Sequence, residues 1–536
     1  MPTQRIAFKE WLPDQPSILD SVSEANNVIP LAVGYGPFKS AVNYSGTATE
    51  DLNNCFAAKL DNDVFIFAGG ATKLFKVDNT DLFLVDESKA GGYTGTNRWQ
   101  FLQFGNLALA SNGSEKIQAY DVNSSTAFAD ASSDAPIAKY ITAVRDFVVA
   151  ANIGAGTTPN KVQWSGINDA STWTTTATSQ SDFQLLPDGG DITGIVGGEF
   201  GIVFLEKAIV RMSYIGSPLI FQFDTISRNV GCIEGNSIAQ YSGTAYFLSD
   251  DGFYATNGQT LTGIGSEKVD RYFFNNANIG DIDSISAAVD PERNLVIWNY
   301  TNVSGGRSLL IYNFETQKWC EADTDVDYLS TLTTAGATLD GLDSAYNVTA
   351  GSFTIGKQYT IRSVGNTNFQ AIGAVADTVG VLFTATGVGS GTGVAIDMAA
   401  SAAALKTVDT LVTTLDDRLY KGGKFLFGGV RDTRIITFTG TNATGSIITN
   451  DLEYGYNSVV TLIRPSVDNG SANIQVASRR MLDDTITYGS SVTATQEDRC
   501  SVRSAGRYHR VALTPTGANW SSAIGIDIDY SEQGTR

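Results

Sequence analysis

GSFTIGKQ, Gly351 to Gln358, has the GxxxxGK spacing of a phosphate-cradling loop, but Gln358 stands where Ser or Thr must hold magnesium. Lys357 is followed by strand-like QYTIRSV instead of the helix whose N-terminus receives phosphate, so nucleotide binding is not expected. GVGSGTG, Gly387 to Gly393, puts Thr392 where a dinucleotide fingerprint needs its last glycine, and it reads as a turn. In EADTDVDY, Asp323, Asp325 and Asp327 have calcium-loop spacing. Tyr328 replaces the required glycine, however, and Thr334 the bidentate glutamate. A solvated acidic loop is the better reading.

His509 is the only histidine, so a two-histidine zinc site is excluded and Ser/His/Asp catalysis would rest on that residue alone. In GRYHRV it reads as an ordinary strand position. Glycoside hydrolysis needs two carboxylates, and Glu206, Asp250 and Asp251 are available, yet no spacing singles out a pair. SDDGFY from Ser249 partly matches the Ser/Asp/Gly/aromatic turn of sialidase propellers, with the glycine shifted by one, and reads as a hairpin turn. Trp99, Trp164, Trp173, Trp298 and Trp319 are expected to fill the core ahead of forming a sugar platform. No catalytic, cofactor-binding or metal-ligating residue is assigned, no cofactor is expected, and the chain is read as non-enzymatic.

The elements that would carry any such residue are strands. The 536 residues include 54 Gly and are rich in Thr, Ser, Asn and aromatics, the mixture of short strands joined by tight turns. With 36 basic and 56 acidic residues the net charge is −20, which argues against tight binding of nucleic acid or an anionic membrane. Cys55, Cys232, Cys320 and Cys500 lie far apart with no CxxC pair, which fits free thiols in a reducing cytosol. The opening residues lack a signal-peptide pattern and no run of 18 apolar residues occurs, so a soluble protein not exported by that route is expected.

Residues 1–53 hold five prolines and little periodicity, and read as an extended N-terminal arm. Its apolar residues Phe8, Trp11, Ile18, Val28, Ile29 and Phe38 are expected to strap the protein's own core ahead of binding a partner. From residue 54 a hairpin-like pattern recurs, beginning at Val64, Leu107, Phe147, Gly201, Ala245, Asn294 and Lys424. A period of about 40–50 residues with two clear strands per unit is the signature of a propeller blade. The fold class is therefore all-β, a propeller-like body of six or seven blades, with stacked sandwiches as the competing architecture.

The blades are expected over 54–335 and 421–454, interrupted by an insertion at 336–420. Leu339, Leu342 and Tyr346, then Leu405, Val408, Val412, Leu415 and Leu419, are spaced like helix faces flanking a small β module at 347–397. Residues 455–536 read as a C-terminal β-domain with a modest basic face from Arg464, Arg479, Arg480, Arg503, Arg507 and Arg510.

Three stretches resemble the tail-nozzle or tail-hub (packaged-DNA-stabilisation) proteins of short-tailed bacteriophages. They are FKEWLPDQPSILDSVSEANNVIPLAVGYGPF, SRNVGCIEGNSIAQYSGTAYFLSDDGFYATNGQTLTGIGSEKVDRYFF and GRYHRVALTPTGANWSSAIGIDIDYSEQGTR, about a fifth of the chain. The insert, with YTIRSVGNTNFQAIGA and LFTATGVGSGTG, is similar to a β module found in unrelated phage structural proteins. The resemblance implies a structural virion protein made in the host cytoplasm. It would form a ring of six copies docked on an adaptor and portal, beside tail fibres or spikes and a tail needle, with no membrane insertion. Double-stranded DNA would only pass through its lumen, whose negative charge would repel phosphate. A virion-surface propeller that binds or cleaves host glycans is the alternative.

Overall fold

The computed structural model describes residues 2–333, 347–397 and 425–533, apart from Asn62, residues 79–81, Thr96 and Ala177. Two compact units result: residues 1–60, 65–332 and 425–536 form one, and 61–64 with 333–424 the other.

The first unit is built on seven four-stranded antiparallel blades. Blade 1 holds Leu52–Leu60, Asp63–Gly70, Leu74–Val77 and Leu84–Asp86; blade 2 holds Gln100–Phe104, Leu107–Ser111, Gln118–Asp121 and Ala129–Asp130. Blade 3 runs through Ala138–Val144, Phe147–Ile153, Thr158–Trp164 and Asp182–Leu185, and blade 4 through Ile192–Val196, Gly201–Leu205, Ile209–Gly216 and Ile220–Ser227. Blade 5 comprises Ala239–Tyr241, Thr244–Leu248, Phe253–Thr256 and Leu261–Gly263, and blade 6 Ser286–Asp290, Leu295–Thr301, Arg307–Asn313 and Lys318–Thr324. Blade 7 is composite: Tyr328–Thr333, Phe425–Arg431, Arg434–Thr437 and, on its outer edge, Val42–Asn43.

The second strand of each blade explains why the units stack. In Phe147–Ile153, Phe147, Val149 and Ala151 enter the core shared with blade 4, whereas Val148, Ala150 and Ile153 enter the core shared with blade 2. Blade 4 repeats the division, Val203 and Leu205 toward blade 3, Ile202 and Phe204 toward blade 5. A strand buried on both faces is apolar at nearly every position, which is why these segments stand out in the sequence. All seven expected repeats are the second and third strands of blades.

Seams between blades also carry polar bonds. Asn54 of blade 1 donates to the Trp99 carbonyl (2.7 Å), Asn152 to that of Ile192 (3.0 Å), and the Trp298 indole to that of Ser237 (2.8 Å). The ring closes where Ser330 of blade 7 donates to Asn54 (2.8 Å) and Thr331 to the Val289 carbonyl of blade 6 (2.8 Å).

The N-terminal segment is not a free arm. Val42–Asn43 closes blade 7, and Val22–Asn26 pairs in parallel with the outer strand of blade 6 at Asn26 and Glu321. On its other side, Val22–Asn26 pairs with Ser446–Thr449, which leads into Cys500–Thr516, Leu452–Asp468 and Ser522–Glu532. Thr3–Ala7 and Tyr35–Pro37 both pair with Ser522–Glu532. The C-terminal strands therefore share one sheet with blade 6 and belong to the same unit as the blades. Ser446–Thr449, expected within the last blade, joins that sheet, because the edge of blade 7 is already taken by Val42–Asn43. Phe8, Trp11, Val28, Ile29 and Phe38 are buried in the unit's own core, while Ile18 is exposed.

The second unit contains the strands Asn347–Thr349, Val394–Asp397, Gln358–Ser363 and Leu382–Thr384 around Phe353, Tyr359, Phe369 and Phe383. The helices expected around Leu339, Leu342 and Tyr346 and around Leu405 to Leu419 fall outside the described residues.

Trp11 anchors the strap: it is buried, meets the Tyr272 ring edge-on at 5.0 Å and donates to the Ser23 carbonyl (3.2 Å). Trp11→Ala should cost about 3–5 kcal/mol, read as a lower urea midpoint. A loss below about 1 kcal/mol would mean that the strap adds little to the body.

Candidate functional site

Lys357 directly precedes the strand Gln358–Ser363 and pairs with Asp397 at 3.0 Å, so no helix follows the GxxxxGK match. The GVGSGTG segment is a loop held by Asn366, which accepts from the Thr392 amide (2.7 Å). The three aspartates of the acidic run diverge. Asp323 accepts from Asn26 (2.9 Å), Asp325 pairs with Arg431 (2.5 Å), and Asp327 accepts from the Asp432 amide (2.7 Å). Among the described residues no His, Cys, Asp and Glu cluster of metal-binding size forms.

His509 is fully buried, Nε2 against Ser458 Oγ (2.8 Å) and Nδ1 against Ser478 Oγ (2.6 Å); burial pushes its pKa down to about 4. A serine and a histidine do meet here, but neither reaches solvent and a second serine holds the nitrogen a triad reserves for a carboxylate. Asp250 pairs with Lys207, and Asp251 accepts from the Tyr254 hydroxyl (2.9 Å). Ser249 donates its amide to the Gly252 carbonyl (2.8 Å), the hairpin turn expected of SDDGFY. Trp99, Trp164, Trp173, Trp298 and Trp319 are all buried, and each indole N–H donates to a backbone carbonyl. The four thiols are free and buried.

The expected basic face is largely neutralised. Arg479 and Arg510 both grip the buried Asp451 (2.5 and 3.0 Å), Arg464 pairs with Asp529 (3.0 Å), and Arg507 with Glu453 (2.7 Å). A sequence reading counts the arginines but not the acids that strands distant in sequence bring beside them.

What the sequence does not reveal is a cavity of about 270 Å³ lined by Asn97, Arg98, Gln100, Lys139, Tyr140, Glu234, Asn236, Asp281, Asp283, Ser284 and Tyr328. These residues begin or immediately precede the first strands of blades 2, 3, 5, 6 and 7, so the cavity lies where those strands converge. Arg98 is fixed there: Nη2 donates to the Leu329 carbonyl (2.9 Å) and to Asn54 Oδ1 (3.2 Å), and the guanidinium lies 4.8 Å from the Tyr328 ring centre. Its Nε is buried without a partner, and desolvation lowers its pKa to about 10, leaving it charged at neutral pH. Arg307 covers Tyr328 at 5.8 Å and donates to Ser284. Glu234 accepts from the Asn236 amide (3.2 Å); burial raises its pKa against the pull of Lys139 and Arg98. A wider groove of about 630 Å³ between blades 2 and 3 draws its lining from those two blades only.

No family model matches the sequence, and no curated protein matches it. Among solved structures, the extracellular domain of BT4673 from B. thetaiotaomicron is 11% identical, with a TM-score of 0.36 over 61% of this chain and 43% of that one. BamB from Moraxella catarrhalis is 11% identical, with a TM-score of 0.33 over 72% of this chain and 100% of its own. The dihydro-heme d1 dehydrogenase NirN is 11% identical, with a TM-score of 0.30 over 54% and 59%. The chain thus spans about half the length of BT4673 and NirN.

The seam between strap and blade 6 holds one more perturbed group. Glu321 Oε2 accepts from the Tyr272 hydroxyl at 2.5 Å. Burial nevertheless pushes the carboxyl up to about 7: Tyr272 favours the charged form, while Glu24 and Asp323 oppose it. The folded protein therefore keeps this proton to higher pH than the unfolded chain, so stability is fullest in mild acid and falls as pH rises from about 4.5 to 7. The loss from this group is at most about 3 kcal/mol. Glu321→Gln should remove it, so melting curves of wild type and variant should converge near pH 5 and separate by pH 8, with the variant more stable. Parallel pH profiles would show that Glu321 titrates normally.

Proposed function

We propose that the chain is a structural subunit of a short phage tail, forming with identical copies the nozzle through which DNA leaves. The observation that supports this reading is how the three nozzle-like stretches meet. They are separated by nearly two hundred residues or more in sequence, yet the first stretch bridges the other two. Asp14 accepts from the amides of Arg271 (2.9 Å) and Tyr272 (2.7 Å), Lys268 donates to Glu10 (2.7 Å), and Gln15 donates to the Glu267 carbonyl (2.7 Å). On its other side Phe8 donates its amide to the Ile524 carbonyl (2.9 Å), and Tyr35 pairs with Ala523.

Stretches that resemble one family and also form one bonded body behave as a unit of lineage. The net charge of −20 suits a conduit, since a wall poor in free Lys and Arg gives phosphates nothing to hold. In this reading the ring docks on an adaptor and portal, and fibres or spikes and a needle attach to it.

Light scattering and electron-microscope imaging of the purified chain, alone and with tail components, test the reading. The expected outcome is a closed ring of six 57.0 kDa subunits around a channel wide enough for a duplex. A stable monomer that ignores tail components but is retained on a glycan array would overturn it in favour of a glycan-binding propeller.

A further inference from the structure

We propose that the cavity where the first strands converge is a binding site for a small zwitterion of amino-acid type, its carboxylate held by Arg98 and Lys139 and its ammonium by Asp281 and Asp283. The proposal is independent of the nozzle reading.

Its basis is an arrangement of charges that face one space without pairing. Arg98 and Lys139 come from the blade 1–2 link and blade 3, Asp281 and Asp283 from the segment before blade 6, and all four line the same cavity. Among the described residues, none of them closes an ion pair, although 16 other cations do. Charges of both signs lining one partly enclosed space attract a ligand that carries both signs.

Each simpler ligand fits less well. A lone anion would meet Glu234, Asp281 and Asp283, and a lone cation would meet Arg98, Lys139 and the adjacent Arg307. A neutral polyol would leave both sets uncompensated. Glu234 is occupied in capping Asn236, which leaves Asp281 and Asp283 to receive the ammonium. Arg98 is already oriented by Leu329, Asn54 and the Tyr328 ring, so little side-chain freedom is lost on binding. At about 270 Å³ the cavity falls just below the ~300–1,000 Å³ range of drug-sized pockets, which limits the ligand to a small molecule.

Calorimetric titration of the full chain with L-glutamine tests this, with N-acetyl-glutamine amide and glucose as uncharged controls. Glutamine should bind with a Kd of about 1 mM or tighter, and the capped form roughly tenfold more weakly or not at all. Lys139→Gln and Asp283→Asn lie on the accessible wall and should leave the melting temperature unchanged while each weakens glutamine roughly fivefold or more. Arg98→Gln, which also removes a structural bond, should abolish binding. Absence of binding by the folded wild type, equal binding of glutamine and the controls, or binding untouched by both wall substitutions would overturn the proposal.

Discussion

Burial of the second strand on both faces is the constraint from which the rest follows. A sheet whose middle strand sends alternate residues into two different cores cannot be stable with one neighbour, and a row of such sheets always leaves an unsatisfied face at each end. Seven blades meet that demand by closing on themselves. The seventh is assembled from three distant segments because a closed ring needs its first and last blades joined, and the outer strand Val42–Asn43 makes the joint with hydrogen bonds.

The same constraint decides what could be read from the sequence. Second strands such as FVVAANI and VFIFAGG are almost continuously apolar, so all seven repeats were visible. First strands such as Gln100–Phe104 are half-buried throughout, and fourth strands such as Ala129–Asp130 are two exposed residues, so neither has a pattern to find. The N-terminal segment was legible as extended but not as strand, since Val28–Pro30 and Tyr35–Pro37 are three-residue elements that exist only through their pairing with other parts of the chain.

The charged cavity was illegible for a related reason. Its residues come from the starts of first strands in five blades, each an unremarkable Arg, Lys or Asp until ring closure brings them together. Glu321 and His509 show how context sets chemistry. One carboxyl is raised by burial in a seam with two further acids nearby, and one imidazole is kept neutral by burial in a core, its nitrogens against two serines. By contrast Asp451, also buried, is held below the ordinary carboxylate range by two arginines, although burial alone would raise it.

The composite seventh blade also imposes an order in time. Val42 leaves the ribosome early but pairs with Thr437, and the innermost strand Tyr328–Thr333 must wait for Phe425–Arg431 until the whole insert has been made. The blades made before then are held together only by neighbour-to-neighbour packing, with both ends of the row open. Contacts this distant in sequence form slowly and leave unpaired strand edges exposed meanwhile. Placing the ring's closing contacts at opposite ends of a long synthesis makes completeness a condition of stability, so a chain truncated before residue 437 has no closed form to fall into.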